Sequence, residues 1–391
     1  MTINQVSCDI FCKVVDNFGD IGVCWRLARQ LANEQAIAVR LWVDDLPSFS
    51  RLCQEVEVTA EQQQCRGVEV RYWGQSFPKV QPAKLVIEAF ACKLPEPYVV
   101  AMAAQSPEPV WINLEYLSAE DWVEGCHKLP SPHMFLPLTK YFFFPGFTDK
   151  TGSLLLEHDL LVQRDAFQND VEKQKTFWRS IGMEMPPIET LNVSLFGYEN
   201  DALPGLLDAW VFGAHSVICL VPEGRILPQL GEYFAEASPN ACKTFTRGNL
   251  QVRVLPFIEQ EQYDKLLWAC DVNFVRGEDS FVRAQWAGKL FVWQIYPQHD
   301  AVHLKKLDAF LGIYTDELNG SAKLAVIQFF NAWNMGSDAG EAWQAFMTAR
   351  GEVEDHAKNW ARQHAGNNLA LNLLDFSREI GRMRALEIEG R

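Results

Sequence analysis

Short apolar runs and helical stretches alternate along this chain in two separate series, and this alternation constrains the fold more than any other feature. In the first series, strands are expected at residues 8–15, 39–43, 68–72, 85–87 and 110–114. A helix at 23–31 places Val23, Leu27 and Leu31 on one face. In the second, strands at 191–196, 217–221, 250–255, 272–275 and 290–294 alternate with helices at 206–212, 260–269 and 281–287. Parallel strands need a crossover connection, which is usually a helix, so this succession builds a mostly parallel sheet covered on both faces. The predicted class is α/β, with two Rossmann-like, doubly wound domains facing each other across a cleft.

The length of 391 residues supports two cores, because single cores stop growing at about 250 to 300 residues. The first domain is placed at 1–182 and the second at 186–365. After the aromatic run 141–144, the polar stretch 148–153 and the long helical pattern at 160–181 read as a connection between domains, which the pair Pro186-Pro187 closes. Residues 301–391 have helical periodicity, interrupted near Gly312, Gly336-Ser337 and Gly366-Asn367-Asn368.

With 48% hydrophobic residues, 13 Trp and 25 Phe, the chain has ample material for burial. Its formal charge of −15 leaves no basic footprint for a phosphate backbone, so direct nucleic-acid binding is not expected. An acidic surface suits a cationic acceptor better, such as a lysine or arginine side chain of another protein. No run approaches the roughly 20 apolar residues that span a bilayer, and the start lacks a signal-peptide pattern. No membrane association is expected, and the expected location is the cytoplasm. The ten cysteines contain no C-x-x-C pair and are expected to be reduced. His299 and His303 have the spacing of a helical metal pair, but no third ligand accompanies them, and they read as a helix-surface pair.

In doubly wound domains, ligands bind at the carboxyl ends of the strands, so loops that come after strands carry the chemistry. Residues Arg276-Gly277-Glu278-Asp279-Ser280 come after a strand and open a helix. Backbone N–H groups at such a helix start can hold a diphosphate, with Ser280 adding a hydroxyl and Arg276 a fixed charge. The same Asp and Ser also serve as ordinary helix caps. Directly after the first strand lies Asp16-Asn17-Phe18-Gly19-Asp20-Ile21-Gly22. Its glycines permit close backbone approach to a ligand, and one of its two aspartates is a candidate general base; Asp and Asn are equally common turn residues. Neither a Walker loop nor a dinucleotide fingerprint occurs.

Together, the Asp16-x-x-x-Asp20 loop, the Phe196-Gly197-Tyr198 turn and the Arg276–Ser280 loop resemble the EarP family across essentially the whole chain. The resemblance implies a GT-B glycosyltransferase fold and inverting transfer of L-rhamnose from dTDP-β-L-rhamnose to an arginine of elongation factor P. It implies no cofactor and no metal. Carried over residue by residue, it implies catalytic roles for Asp20, Asp16 and Glu278. Asn17, Gly19, Phe196, Tyr198, Phe257, Gln260, Arg276, Asp279 and Ser280 are then expected at the substrate and nucleotide site, with Phe257 beside the base. By analogy with other two-lobed transferases, the helix at 366–391 is expected to pack back onto the first domain. The alternatives are another cytosolic GT-B nucleotide-sugar transferase, an epimerase, or a non-catalytic protein that binds a translation factor.

Overall fold

A computed structural model describes residues 7–15, 18–236, 240–298 and 302–389. The chain divides into two compact units, one formed by Met1–His158 with His364–Arg391 and the other by Asp159–Gln363.

The first unit holds strands β1 (Ser7–Cys12), β2 (Ala38–Val43), β3 (Gln62–Cys65), β4 (Val68–Tyr72), β5 (Leu85–Ala89), β6 (Val110–Leu114), β7 (Pro130–Pro132) and β8 (Thr139–Phe143). They form one sheet in the order β3-β4-β2-β1-β5-β6-β8-β7. The six strands from β4 to β8 are parallel neighbours. The two flanks, β3 and β7, run antiparallel. The central strands β5 and β6 are buried along their whole length, as expected of strands covered on both faces. On one face Phe11, Trp42, Val86, Tyr98, Met102 and Trp111 make a continuous core. Asp9, at 0% exposure, is satisfied inside that core by Arg40, by the Tyr98 hydroxyl and by the Ala83 N–H at 3.0 Å. It is a structural carboxylate, because every strong donor around it belongs to the packing.

The second unit holds β9 (Leu191–Leu195), β10 (Val217–Pro222), β11 (Thr244–Arg247), β12 (Leu250–Leu255), β13 (Val272–Arg276) and β14 (Leu290–Gln294). The order is β11-β12-β10-β9-β13-β14, all parallel except the β11 edge. The helices Gln260–Ala269 and Asp279–Ala287 are locked together by a bidentate Arg283–Asp264 pair at 2.9 and 2.8 Å, both partners buried. Each sheet is doubly wound. Strand order reverses between β1 and β5 in the first and between β9 and β13 in the second.

The division at 158/159 differs from the boundary expected near 182. Residues 160–180 pack with the second unit: Phe167 meets Trp268 at 5.8 Å, Arg164 donates to the Trp286 carbonyl at 2.8 Å and Gln168 to that of Ala287 at 3.1 Å. The expected single helix is two, Leu160–Gln168 and Val171–Ser180. Asp170 starts the second by accepting from the N–H groups of Glu172 and Lys173. The aromatic run that precedes the expected connection is largely β8. It receives the final helix, Leu369–Glu389, whose Phe376 lies 5.5 Å from Tyr141 and 5.9 Å from Phe143. Arg384 of that helix donates to the Glu108 and Pro109 carbonyls at 3.0 and 3.1 Å. Gly312 does not interrupt its helix, Val302–Tyr314, whereas Gly336, at φ 70°, does end Gly320–Met335.

All ten cysteines are free thiols. His299 lies outside the described residues, and His303 accepts the Gln298 N–H at 3.2 Å through Nδ1. No helix among the described residues is long and apolar enough to cross a membrane.

Candidate active site

In the first unit the strand order reverses between β1 and β5, and in a doubly wound sheet the loops at the carboxyl ends of the strands beside such a reversal are where a ligand binds. Asp16 and Asn17, just beyond β1, lie outside the described residues. The helix Gly19–Asn33 begins at Gly19 rather than at Val23, so Asp20 belongs to a first helical turn and not to a loop. A carboxylate there is favoured by the helix dipole. Asp20 is only 3% exposed; Oδ2 accepts the Val15 N–H at 2.9 Å, and Oδ1 accepts the Tyr116 hydroxyl at 3.1 Å. A buried carboxylate with two defined donors is held in one orientation, as a proton acceptor in catalysis must be.

Tyr116 stacks on Phe90 with ring centroids 4.3 Å apart and planes 15° apart. Phe90, Ala91 and Lys93 all adopt left-handed backbone conformations, at φ 55°, 53° and 57°. For residues with a Cβ this costs roughly 1–2 kcal/mol each, and such strain collects at functional sites. The turn is held by Phe90 N–H to the Leu114 carbonyl at 2.7 Å and by Lys93 N–H to Glu88 Oε1 at 3.2 Å. Glu88 is itself buried and bonded to Trp111 at 3.0 Å and Lys140 at 3.3 Å.

In the second unit the strand order reverses between β9 and β13, and the predicted nucleotide residues gather there. Arg276 is the last residue of β13 and is buried; its guanidinium carbon lies 4.5 Å from the ring centres of both Phe196 and Tyr198. Gly277, at φ 64°, turns the chain out of the strand, a conformation that favours glycine. The helix Asp279–Ala287 comes next, with Glu278 as its half-buried N-cap and Val282 making the bond back to Glu278 at 3.0 Å. The N–H groups of a helix's first turn have no partner within the helix and can bind an anion. Gln260 opens the neighbouring helix, is buried, and donates to Asp279 Oδ2 at 3.3 Å. Phe257, half-buried, sits on the loop between β12 and that helix.

Ser280 has a different use from the one expected. Its hydroxyl donates to the Arg276 carbonyl and accepts the Arg276 N–H at 3.1 Å, so it bridges the turn and fixes the base of Arg276. In this arrangement its proton is spent inside the turn rather than on a ligand.

Several residues of this site escaped the sequence reading. Gln294, ending β14, accepts the Tyr198 N–H at 2.8 Å through Oε1 and thereby ties the β9 turn to the far side of the strand reversal. Tyr263 packs edge-on to Phe196 at 5.7 Å; burial raises its phenol pKa, so it enters the site as a neutral hydroxyl. Arg225 places a second guanidinium 5.8 Å from the Tyr198 ring. Its position after β10 was the available signal, since it comes after a strand just as the Arg276 loop does. Among the described residues no three His, Cys, Asp or Glu side chains are grouped so as to hold a metal ion.

Gly197 shows how tightly the second site is built. A Cβ there would meet Gln294 Oε1 at 2.8 Å and Ile226 Cδ1 at 3.3 Å. Gly197→Ala is expected to push the Gln294 amide off the Tyr198 N–H, costing about 1 kcal/mol and weakening nucleotide binding several-fold. Thermal denaturation with and without nucleotide checks this; an unchanged midpoint and affinity would contradict it.

The chain matches the sequence model of a family described as Elongation-Factor P (EF-P) rhamnosyltransferase EarP over residues 8–378. It is 51% identical over 375 residues to the protein-arginine rhamnosyltransferase of Pseudomonas putida, a match covering 96% of this chain and 99% of that protein. The corresponding values for the Pseudomonas aeruginosa protein of the same description are 47% over 373 residues, 95% and 99%. A solved structure described as "Structural basis for EarP-mediated arginine glycosylation of translation elongation factor EF-P" is similar at a TM-score of 0.70 and 37% identity, over 96% of this chain and 99% of that one. MurG of Acinetobacter baumannii, at 14% identity and a TM-score of 0.52 over 96% and 99% of the two chains, shares the fold alone.

Proposed function

Because the chain belongs to the EarP family of elongation factor P rhamnosyltransferases, we propose that it transfers L-rhamnose from dTDP-β-L-rhamnose to an arginine side chain of elongation factor P, with inversion at the anomeric carbon. It is an enzyme of the protein-arginine rhamnosyltransferase class, with the two-domain α/β fold of GT-B glycosyltransferases.

The observation that carries the finer reading is the 276–280 loop: a buried arginine, then a helix start, at the strand reversal of the second unit. This arrangement suits a diphosphate, whose charge rises as the bond to the sugar breaks. Arg276 and the helix amides would stabilise that charge without a metal. Inversion results from a single displacement. A guanidino nitrogen attacks the anomeric carbon, the carbon–oxygen bond to dTDP breaks, and the nitrogen loses one proton.

That proton is the difficulty, because a guanidinium holds it with a pKa above about 12. In this reading Asp20 takes it as the attack proceeds, while Asp16 and Glu278 orient the guanidinium by charge-assisted hydrogen bonds. An acidic chain of net charge −15 is also suited to approach by a cationic side chain.

The test is intact-mass analysis of elongation factor P after mixing with this protein and dTDP-rhamnose. A gain of one deoxyhexose on an arginine is expected. No gain, or a gain only with a different sugar nucleotide, would refute the donor and acceptor assignments. Conversion of the sugar nucleotide without any acceptor would point to epimerisation.

A further inference from the structure

Tyr116 comes two residues after the end of β6. It is 41% exposed although one of its faces is covered by Phe90, and it hydrogen-bonds Asp20, the buried aspartate that opens the first helix. Phe90 reaches it only by adopting a left-handed backbone next to a second left-handed residue, Ala91. A strained, well-anchored support beneath a partly exposed aromatic ring is a binding surface in form, since an ordinary core contact would bury the ring instead.

Two features select a cation as what lies on that surface. The face of a tyrosine ring is electron-rich. The hydroxyl donates to a carboxylate, Asp20, which increases the negative character of the ring. Among cations, a planar guanidinium stacks on an aromatic face better than a compact ammonium does.

We propose that Tyr116, supported by Phe90, is the platform on which the acceptor guanidinium stacks, so that it positions the attacking nitrogen beside Asp20. This rests on the function proposed above, and it adds two residues that the family resemblance did not supply. Tyr116 then has two separable contributions, a stacking face that holds the acceptor and a hydroxyl that orients Asp20. Phe90 acts through Tyr116 and is a positioning residue.

The two contributions are separated by initial rates at saturating dTDP-rhamnose and varied elongation factor P, with donor affinity measured independently by calorimetry. Tyr116→Leu is expected to raise the KM for elongation factor P by roughly tenfold, the order of a desolvated cation–aromatic contact, with donor Kd unchanged. Tyr116→Phe keeps the face and is expected to hold KM within about twofold while lowering kcat several-fold, because Asp20 loses one donor. Phe90→Leu is expected to raise KM less than Tyr116→Leu does, and it serves as the second variant if Tyr116→Leu fails to fold. A wild-type KM in both leucine variants overturns the inference, as does a Tyr116→Leu defect confined to kcat and equal to that of Tyr116→Phe. Absence of transfer by the wild-type chain overturns the proposed function itself, and this inference with it.

Discussion

Asp20→Asn is expected to lower the turnover of arginine transfer by about 10²- to 10⁴-fold, the range over which a positioned general base contributes. Donor affinity should change less than twofold, because the residues expected around the base and the diphosphate, from Phe196 to Ser280, lie in the other unit of the chain. Asparagine matches aspartate in size and keeps one carbonyl oxygen for the Val15 N–H, while the Tyr116 hydroxyl can rotate to accept from the new amide. The fold should therefore survive. Asp20→Ala is the contrasting variant: it leaves the Val15 N–H without its acceptor, and a loss of about 1–3 kcal/mol in stability is expected. Turnover, donor calorimetry and a denaturation midpoint together decide the matter. If Asp20→Asn retains wild-type turnover, Asp20 is not the base.

Arg276→Ala should act on the opposite step. A guanidinium that reaches a phosphate by charge-assisted hydrogen bonds contributes on the order of 1.5–3 kcal/mol, so donor Kd is expected to rise by roughly 10- to 100-fold. Arg276→Lys is not a conservative replacement. Arg276 lies 4.5 Å from both the Phe196 and Tyr198 rings, and a lysine ammonium can neither stack in that slot nor present a two-pronged donor. It should recover less than half of the lost binding energy. Titration of each variant with dTDP-rhamnose measures this, and a wild-type Kd for Arg276→Ala would remove Arg276 from the donor site. Ser280→Ala offers a further comparison. Its hydroxyl is bonded to the Arg276 backbone, so its effect on the donor should pass through the turn and also appear as a lowered denaturation midpoint in the absence of nucleotide.

Much of the architecture was legible because it depends on local periodicity. The largely apolar segments at β5, β13 and β14 are buried along their whole length, and that pattern survives in the linear sequence. The antiparallel edge strand β3, whose residues 62–64 are all glutamine, carried no such signal. Edge strands need no alternation of apolar residues when one side faces solvent. The domain boundary was misplaced for a related reason. Helical periodicity at 160–181 announces an apolar face but not the core that receives it; only the contacts of Phe167, Arg164 and Gln168 assign it to the second unit.

The sequence by itself determined the two strand–helix series, the position of Arg276 and Glu278 between a strand and a helix, and the pairing of Asp20 with a glycine-bearing turn. These are near-neighbour relations, governed by propensity and the spacing of a few residues. Only the tertiary structure decided that Tyr116 and Phe90 accompany Asp20, that Gln294 clamps the Tyr198 turn, and that the Ser280 hydroxyl serves the backbone. Each of those contacts depends on which strands lie side by side in a sheet or on the path of a turn. Strand order is set by the packing of whole layers, and hydrophobic patterning along one strand does not encode the identity of its neighbour.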